Sequence, residues 1–305
     1  MSQRFLLLLP IYLPIVLGAL ARLGGYFPSE WGHGLKQFCL KVTIPLLVFT
    51  SMASLDAQEL AQALPVTLSL PLWMTLLWAV GMGISQWPAF REHRIETVLI
   101  VMLGNIGYIG WAVSEIAFGA EGLVRSIMFT TLLWPTTLGL AALTRHLVMG
   151  KEKSPESNQT NILGVALPVL VAFFSGLFLS LLNLSLPDAV MGTLRTFGEM
   201  SSPLILFNVG LSLSFRAAWG KLSMLLPLRL IVGFSAAWVA LFVMQFFHLD
   251  ELSRRVILTL SLMPVGANSL MVGDVMDLDG SYLAGAVTLS TVLALATIPL
   301  SLLLF

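Results

Sequence analysis

Charge is what this sequence has least of. Of its 305 residues only 10% are Asp, Glu, Lys or Arg, against about a quarter in a soluble domain. That excludes an ordinary soluble globular protein. The charges balance to a formal net of +0, so nothing points to nucleic acid or to an acidic soluble partner. The one cysteine, Cys39, cannot close an internal disulfide and reads as a small apolar packing residue. His33, His93, His146 and His248 lie in loops or at the ends of apolar runs, without the spacing of a metal site. No His-Glu-x-x-His and no Gly-x-Ser-x-Gly occurs. The chain is therefore read as a non-enzyme that needs no cofactor.

What is present is apolar sequence. Hydrophobic residues make up 57% of the chain, and mean hydropathy is +0.91. Runs of about 20 apolar residues recur from end to end, as helices spanning a lipid bilayer require. The strict alternation of a membrane β-strand is missing. Ten spans are expected, at 5–23, 38–55, 65–87, 96–117, 124–144, 162–183, 196–215, 223–247, 256–276 and 281–305. Arg4 and Ala19-Leu20-Ala21 imitate a secretory leader and its cleavage site. The repeat described next argues that this segment is kept as the first span.

An offset of 158 residues superposes the chain on itself. Leu9-Pro10 falls on Leu167-Pro168, Gly18 on Gly176, Gly34 on Gly192 and Gly122 on Gly280. Pro45-Leu-Leu-Val-Phe49 falls on Pro203-Leu-Ile-Leu-Phe207. Leucines coincide by chance in so apolar a chain, but prolines and glycines at one ungapped offset do not. The expected organisation is a first five-helix repeat over 1–150, a linker over 151–160 and a second repeat over 161–305. An odd number of spans per repeat inverts the second copy, an arrangement found in secondary transporters. Arg22, Lys36, Lys41, Arg91, Arg94, Arg145, Lys151, Lys153, Arg216 and Lys221 fall on one side. Arg4, Arg125, Arg195, Arg254 and Arg255 fall on the other. The richer side is expected to be cytoplasmic, with both termini outside.

Gly104-Asn-Ile-Gly-Tyr-Ile-Gly110 interrupts the fourth span, and Ser261-Leu-Met-Pro-Val-Gly-Ala-Asn268 holds the matching position in the ninth. Each glycine costs a helix interior about 1 kcal/mol relative to alanine. Pro264 removes a backbone donor and clashes with the preceding turn. Non-helical backbone at membrane depth is tolerated only where it is buried in protein or lines a cavity. Interruptions at corresponding positions of two repeats point to a transporter's binding site. Each also exposes a half-helix N-terminus carrying about half a positive charge, which suits an anion. The interruptions hold no acid or base; Asn105 and Asn268 offer neutral amides instead. The expected substrate-binding residues are Gly104, Asn105, Gly107, Pro264, Gly266 and Asn268. Thr50 and Ser51 join them with Asn208, which the offset brings onto Thr50.

At these residues the sequence resembles the auxin efflux carrier family, which takes in plant PIN carriers and bacterial relatives. Asn105-Ile-Gly107-Tyr-Ile-Gly110 is similar to the family's fourth-span Asn-x-Gly-x-x-Gly. Met263-Pro264, Gly285 and Thr297-Ile-Pro299 are similar to its later motifs, and Ile44-Pro45-Leu-Leu-Val-Phe49 to its second span. A proline frequent in the family after the second glycine is here Ala112. The resemblance implies an all-α membrane fold of the sodium/proton antiporter and bile-acid symporter type. Broken helices 4 and 9 would cross in a core that moves against a scaffold. It further implies a multi-pass carrier in a bacterial inner membrane that exports a small organic acid by alternating access, with Asn105 at the substrate.

Several points stay open in the sequence. A proton or a sodium ion could serve as coupling ion, and a homodimer is allowed. Glu115, Asp274 and Glu199 are acids near span ends whose part in proton coupling the sequence does not decide. Arg229, inside the eighth span, could reach a carboxylate or snorkel. The alternative function is a channel or sensor with a transporter-like membrane body.

Overall fold

The computed structural model describes residues 9–27, 29–149, 159–212, 219–247 and 249–304. Its named elements are all helical. In chain order they are α1 (Leu9–Leu23), α2 (Ser29–Phe38), a π-turn (Cys39–Thr43), α3 (Ile44–Ala53) and α4 (Ala57–Ile84). A 3-10 turn (Pro88–His93) leads to α5 (Arg94–Met102), α6 (Ile109–Thr130) and α7 (Leu133–Met149). There follow α8 (Gln159–Leu181), α9 (Asp188–Glu199), α10 (Ser201–Ser212) and α11 (Trp219–Val243). The last are α12 (Glu251–Ser261), α13 (Asn268–Val275) and α14 (Gly280–Leu304). Among the described residues, five stretches are long and apolar enough to cross a membrane: Gly34–Ala53, Pro65–Ile84, Ile109–Val148, Leu222–Val243 and Gly280–Pro299. Tyr12–Leu23 and Leu167–Leu181 are shorter apolar helices.

The expected fourth, seventh and ninth spans are not single helices. Each is two short ones: α5 and the start of α6, α9 and α10, α12 and α13. Within α6 the path bends at Gly119, whose φ of 71° favours glycine, so the end of the fourth expected span and the start of the fifth form one element. The third begins earlier than its apolar run. Asp56 Oδ1 accepts from the Glu59 N–H at 2.7 Å, and Glu59 Oε2 from the Asp56 N–H at 3.0 Å. This reciprocal capping box starts α4 at Ala57. Asp250 caps α12 by accepting from the Ser253 N–H at 3.0 Å. Most of the 151–160 linker and the first residues of the expected first span lie outside the described residues.

The chain divides into two compact units, each assembled from both halves of the sequence. The first takes Met1–Leu64, Gly107–Met128 and Asn161–Leu213; the second takes Pro65–Ile106, Phe129–Thr160 and Ser214–Phe305. In the first unit, α1 and α10 meet so closely that a Cβ on Gly18 would strike the carbonyl oxygen of Phe207. A Cβ on Gly176 in α8 would sit 2.5 Å from the carbonyl oxygen of Phe49 in α3. These are one contact made twice. Moving Gly18 by 158 residues gives Gly176, and moving Phe207 back gives Phe49. With little hydrophobic gain between helices in lipid, such close backbone approach supplies the packing energy.

Gly18→Ala and Gly176→Ala are therefore each expected to destabilise the purified protein by about 1–3 kcal/mol through overpacking. Gly139→Ala, where an added Cβ meets nothing within 4 Å, should be neutral or slightly stabilising. Melting temperatures in detergent check this; equal effects at all three positions would refute the contact.

Candidate functional site at the helix interruptions

In the second unit α5 stops at Met102 and α12 stops at Ser261. The chain becomes helical again at Ile109 and at Asn268. The two irregular stretches occupy positions that the 158-residue offset matches to within one residue. Inside this unit they pair with each other. Gly104 and Val265 form an antiparallel bridge. The Asn105 N–H donates to the Pro264 carbonyl at 2.7 Å, and the Gly266 N–H to the Leu103 carbonyl at 2.9 Å. The Val265 N–H finds Ser290 Oγ of α14 at 2.9 Å. Buried peptide groups must be bonded, and an interrupted helix in lipid loses its own ladder. Here each interruption supplies the other's missing partners.

Close neighbours explain two of the glycines, facing backbone at Gly266 and side chains at Gly104. A Cβ on Gly266 would collide with Asn268 Oδ1 and lie 2.7 Å from the Gly104 carbonyl oxygen. A Cβ on Gly104 would lie 2.9 Å from Arg229 Nη2 and 3.2 Å from Ile106 Cγ2. Gly107 differs: an added Cβ there meets nothing within 4 Å. Its lack of a side chain leaves space rather than permitting contact.

Arg229 enters from α11 and is 2% exposed. Its guanidinium does not snorkel, and among the described residues it pairs with no carboxylate. Nε donates to the Ile100 carbonyl at 2.9 Å and Nη1 to the Met263 carbonyl at 2.7 Å. Nη2 reaches the Pro264 carbonyl at 3.5 Å. One side chain thus covers carbonyls left over at the ends of both α5 and α12, where the helix dipoles carry partial negative charge. The sequence showed the charge inside an apolar run but held no signal for which oxygens it would meet.

The expected site residues divide between the units. Gly104, Asn105, Pro264, Gly266 and Asn268 come together in the second. Asn105 is 3% exposed and Asn268 is 6% exposed. Asn268 Oδ1 is buried without a hydrogen-bond partner, at the first residue of α13. Thr50, Ser51, Gly107 and Asn208 belong to the first unit. Thr50 Oγ1 donates to the Leu46 carbonyl at 2.9 Å, so its hydroxyl is spent on its own helix.

The first unit holds a pocket of about 250 Å³ that sequence reasoning did not assemble. Thr50, Ser51, Glu115, Glu199, Arg125 and Arg195 are among its lining residues. Glu115 Oε2 accepts from Ser202 Oγ at 2.6 Å, and Arg195 Nη2 donates to Ser54 Oγ at 3.1 Å. Glu199 ends α9, where the helix dipole opposes an acid. A topological signal was available, since the span count puts the ends of spans two and four and the start of span seven on one side. Asp274 lies exposed near the end of α13.

The profile of the membrane transport protein family matches residues 5–302. A protein of Methanothermobacter thermautotrophicus described as an uncharacterized transporter is 28% identical, with 96% of this chain and 95% of the relative aligned. A second uncharacterized transporter, from Methanocaldococcus jannaschii, is 25% identical over 94% of each chain. With interrupted, mutually paired helices in a multi-pass apolar chain, these matches place the protein: it belongs to the membrane transport protein family, the group of the auxin efflux carriers.

Proposed function

We propose that the protein is a secondary carrier of a small organic anion, a carboxylate, exported across the inner membrane by alternating access. The observation that carries this reading is the buried Arg229 guanidinium at the paired interruptions, which no carboxylate among the described residues neutralises. An uncompensated charge in a medium of low dielectric is expensive. Carbonyl dipoles offset it in part, and an anionic substrate would offset the rest. Asn268 stands at the N-terminal end of α13 with its buried amide oxygen unsatisfied; turned end for end, the amide would place its two donors there for a carboxylate. Asn105, one residue from the bridge, is the second amide of the reading. Gly107, with open space beside it, lets the substrate come close to the backbone.

Movement follows from the same architecture. The duplicated glycine contacts support an inverted pair of five-helix repeats, with Met1–Leu64 and Asn161–Leu213 supplying the scaffold and the interrupted helices the moving core. Thr50, Ser51 and Asn208, which belong to the first unit, enter this reading as polar residues of the scaffold. The loop charges support outward termini and a cytoplasmic linker. A cysteine placed at position 2 should then be labelled from outside intact cells, and one at position 157 only after the membrane is opened; the reverse pattern would invert the orientation.

The substrate class is tested by melting the purified protein against a panel of mono- and dicarboxylates, each beside its uncharged amide analogue. A ligand that binds the folded state raises the melting temperature by mass action. At least one acid should stabilise and its amide should not; a panel with no stabilising acid would sink the reading. Asn105→Ala and Asn268→Ala should each weaken binding of that acid about ten- to a hundredfold, the worth of a lost hydrogen bond to a charged group. Asn105→Asp should weaken it further, because it sets a negative charge against the anion. Variants that bind the acid as tightly as the parent would reduce both asparagines to packing.

Gly104→Ala and Gly107→Ala should separate fold from transport. The first pushes on Arg229 and Ile106 and should lower the melting temperature. The second should leave stability nearly unchanged while slowing uptake into vesicles, since its methyl enters open space.

A further inference from the structure

We propose that the Arg229 guanidinium is a built-in replacement for a coupling cation: it fills the position at the interrupted helices where a transporter could hold a sodium ion. This rests on the carrier reading, but concerns the ion rather than the substrate. The donor set carries the argument. Carbonyl oxygens of unwound backbone and of half-helix C-terminal ends are the groups with which secondary transporters coordinate their coupling cation. In this chain the carbonyls of Ile100, Met263 and Pro264 form such a set, drawn from both interruptions. Each accepts from one nitrogen of the same side chain, at 2.9, 2.7 and 3.5 Å. The Pro264 oxygen also takes the Asn105 N–H at 2.7 Å.

Space and charge act together against a second cation. Nη2 lies 2.9 Å from where a Cβ on Gly104 would stand, so not even a methyl group fits on that side. A sodium ion sharing these oxygens would face a permanent positive charge at contact distance with little solvent to screen it. Arginine is suited to this role because it stays protonated and presents its donors in a fixed fork. A purely structural clamp would bond the same carbonyls, so the two roles differ only in what happens once the guanidinium is removed. A clamp leaves a weakened protein. A cation replacement leaves a cation site.

The test uses the full-length purified protein in detergent, melted in sodium chloride and in choline chloride at matched ionic strength, with no organic anion. A failed substrate assignment would leave this readout untouched. The parent and Arg229→Lys, which keeps the charge, should melt at the same temperature in both salts. Arg229→Ala should melt lower in choline, and sodium should raise its melting temperature progressively with concentration. Two results would overturn the proposal: stabilisation of the parent by sodium over choline, or an Arg229→Ala protein indifferent to the exchange. If Arg229→Ala shows no cooperative melting in either salt, Arg229→Gln decides in the same way. Its shorter amide vacates part of the carbonyl set, and indifference to sodium there counts against the proposal.

Discussion

A peptide group in hydrocarbon has no water to fall back on, and the second unit is arranged around that fact. One interrupted helix would strand donors and acceptors at both of its cut ends, each costing several kcal/mol. Two interruptions set antiparallel can share the deficit. The Asn105 and Gly266 amides cross-donate, Ser290 reaches the Val265 amide and Arg229 covers the leftover carbonyls. The glycine at 266 follows as a consequence, because the facing backbone at bridge distance leaves no room for a Cβ. So does the burial of Arg229, since only a long, forked donor reaches the ends of two helices at once.

The same arrangement decides the electrostatics. The C-terminal ends of α5 and α12 bring partial negative charge to the guanidinium, and the N-terminal end of α13 adds positive potential at Asn268. Dipoles screen a full charge only in part, so the guanidinium sets the sign of the local field. The first unit has a different chemistry. Its pocket sets Glu59, Glu115, Glu121 and Glu199 against Arg125 and Arg195, an acidic surplus. The two units therefore differ in the sign of charge they present: a guanidinium at the interruptions and an acidic surplus in the pocket.

How much of this was legible depended on whether a residue's type alone fixed its conformation. Pro264 and the clustered glycines announced the interruptions, because proline and glycine act on the backbone they belong to. The cap Asp56-Ala-Gln-Glu59 was equally local, and it starts α4 ahead of the apolar run. Gly104 and Gly107 looked alike in sequence, yet one is required by a neighbour and the other borders empty space. That distinction exists only in three dimensions. The place of Glu199 was less legible, because a turn at Met200 splits the expected span and one residue of boundary reverses the sign of a helix-end effect. Arg229 was visible as a charge and illegible as a bond, since its partners are carbonyls and every residue carries one.

The repeat sharpens that last point. In packing, the two halves behave alike: Gly18 against Phe207 and Gly176 against Phe49 are the same contact under the 158-residue offset. In charge they differ. The residue offset from Arg229 is Pro71, inside α4, which bonds no carbonyl through its side chain. Symmetry would demand a second arginine, and the geometry removes the need for one. A single guanidinium already spans both interruptions, taking Ile100 from the first and Met263 from the second. A second cation brought to the same carbonyls would find them taken and would meet a like charge where little screens it. The 158-residue offset therefore suits the close packing, whose contacts are separate in space. It does not suit a charge that both halves share, and the site is asymmetric in the one residue that carries its electrostatics.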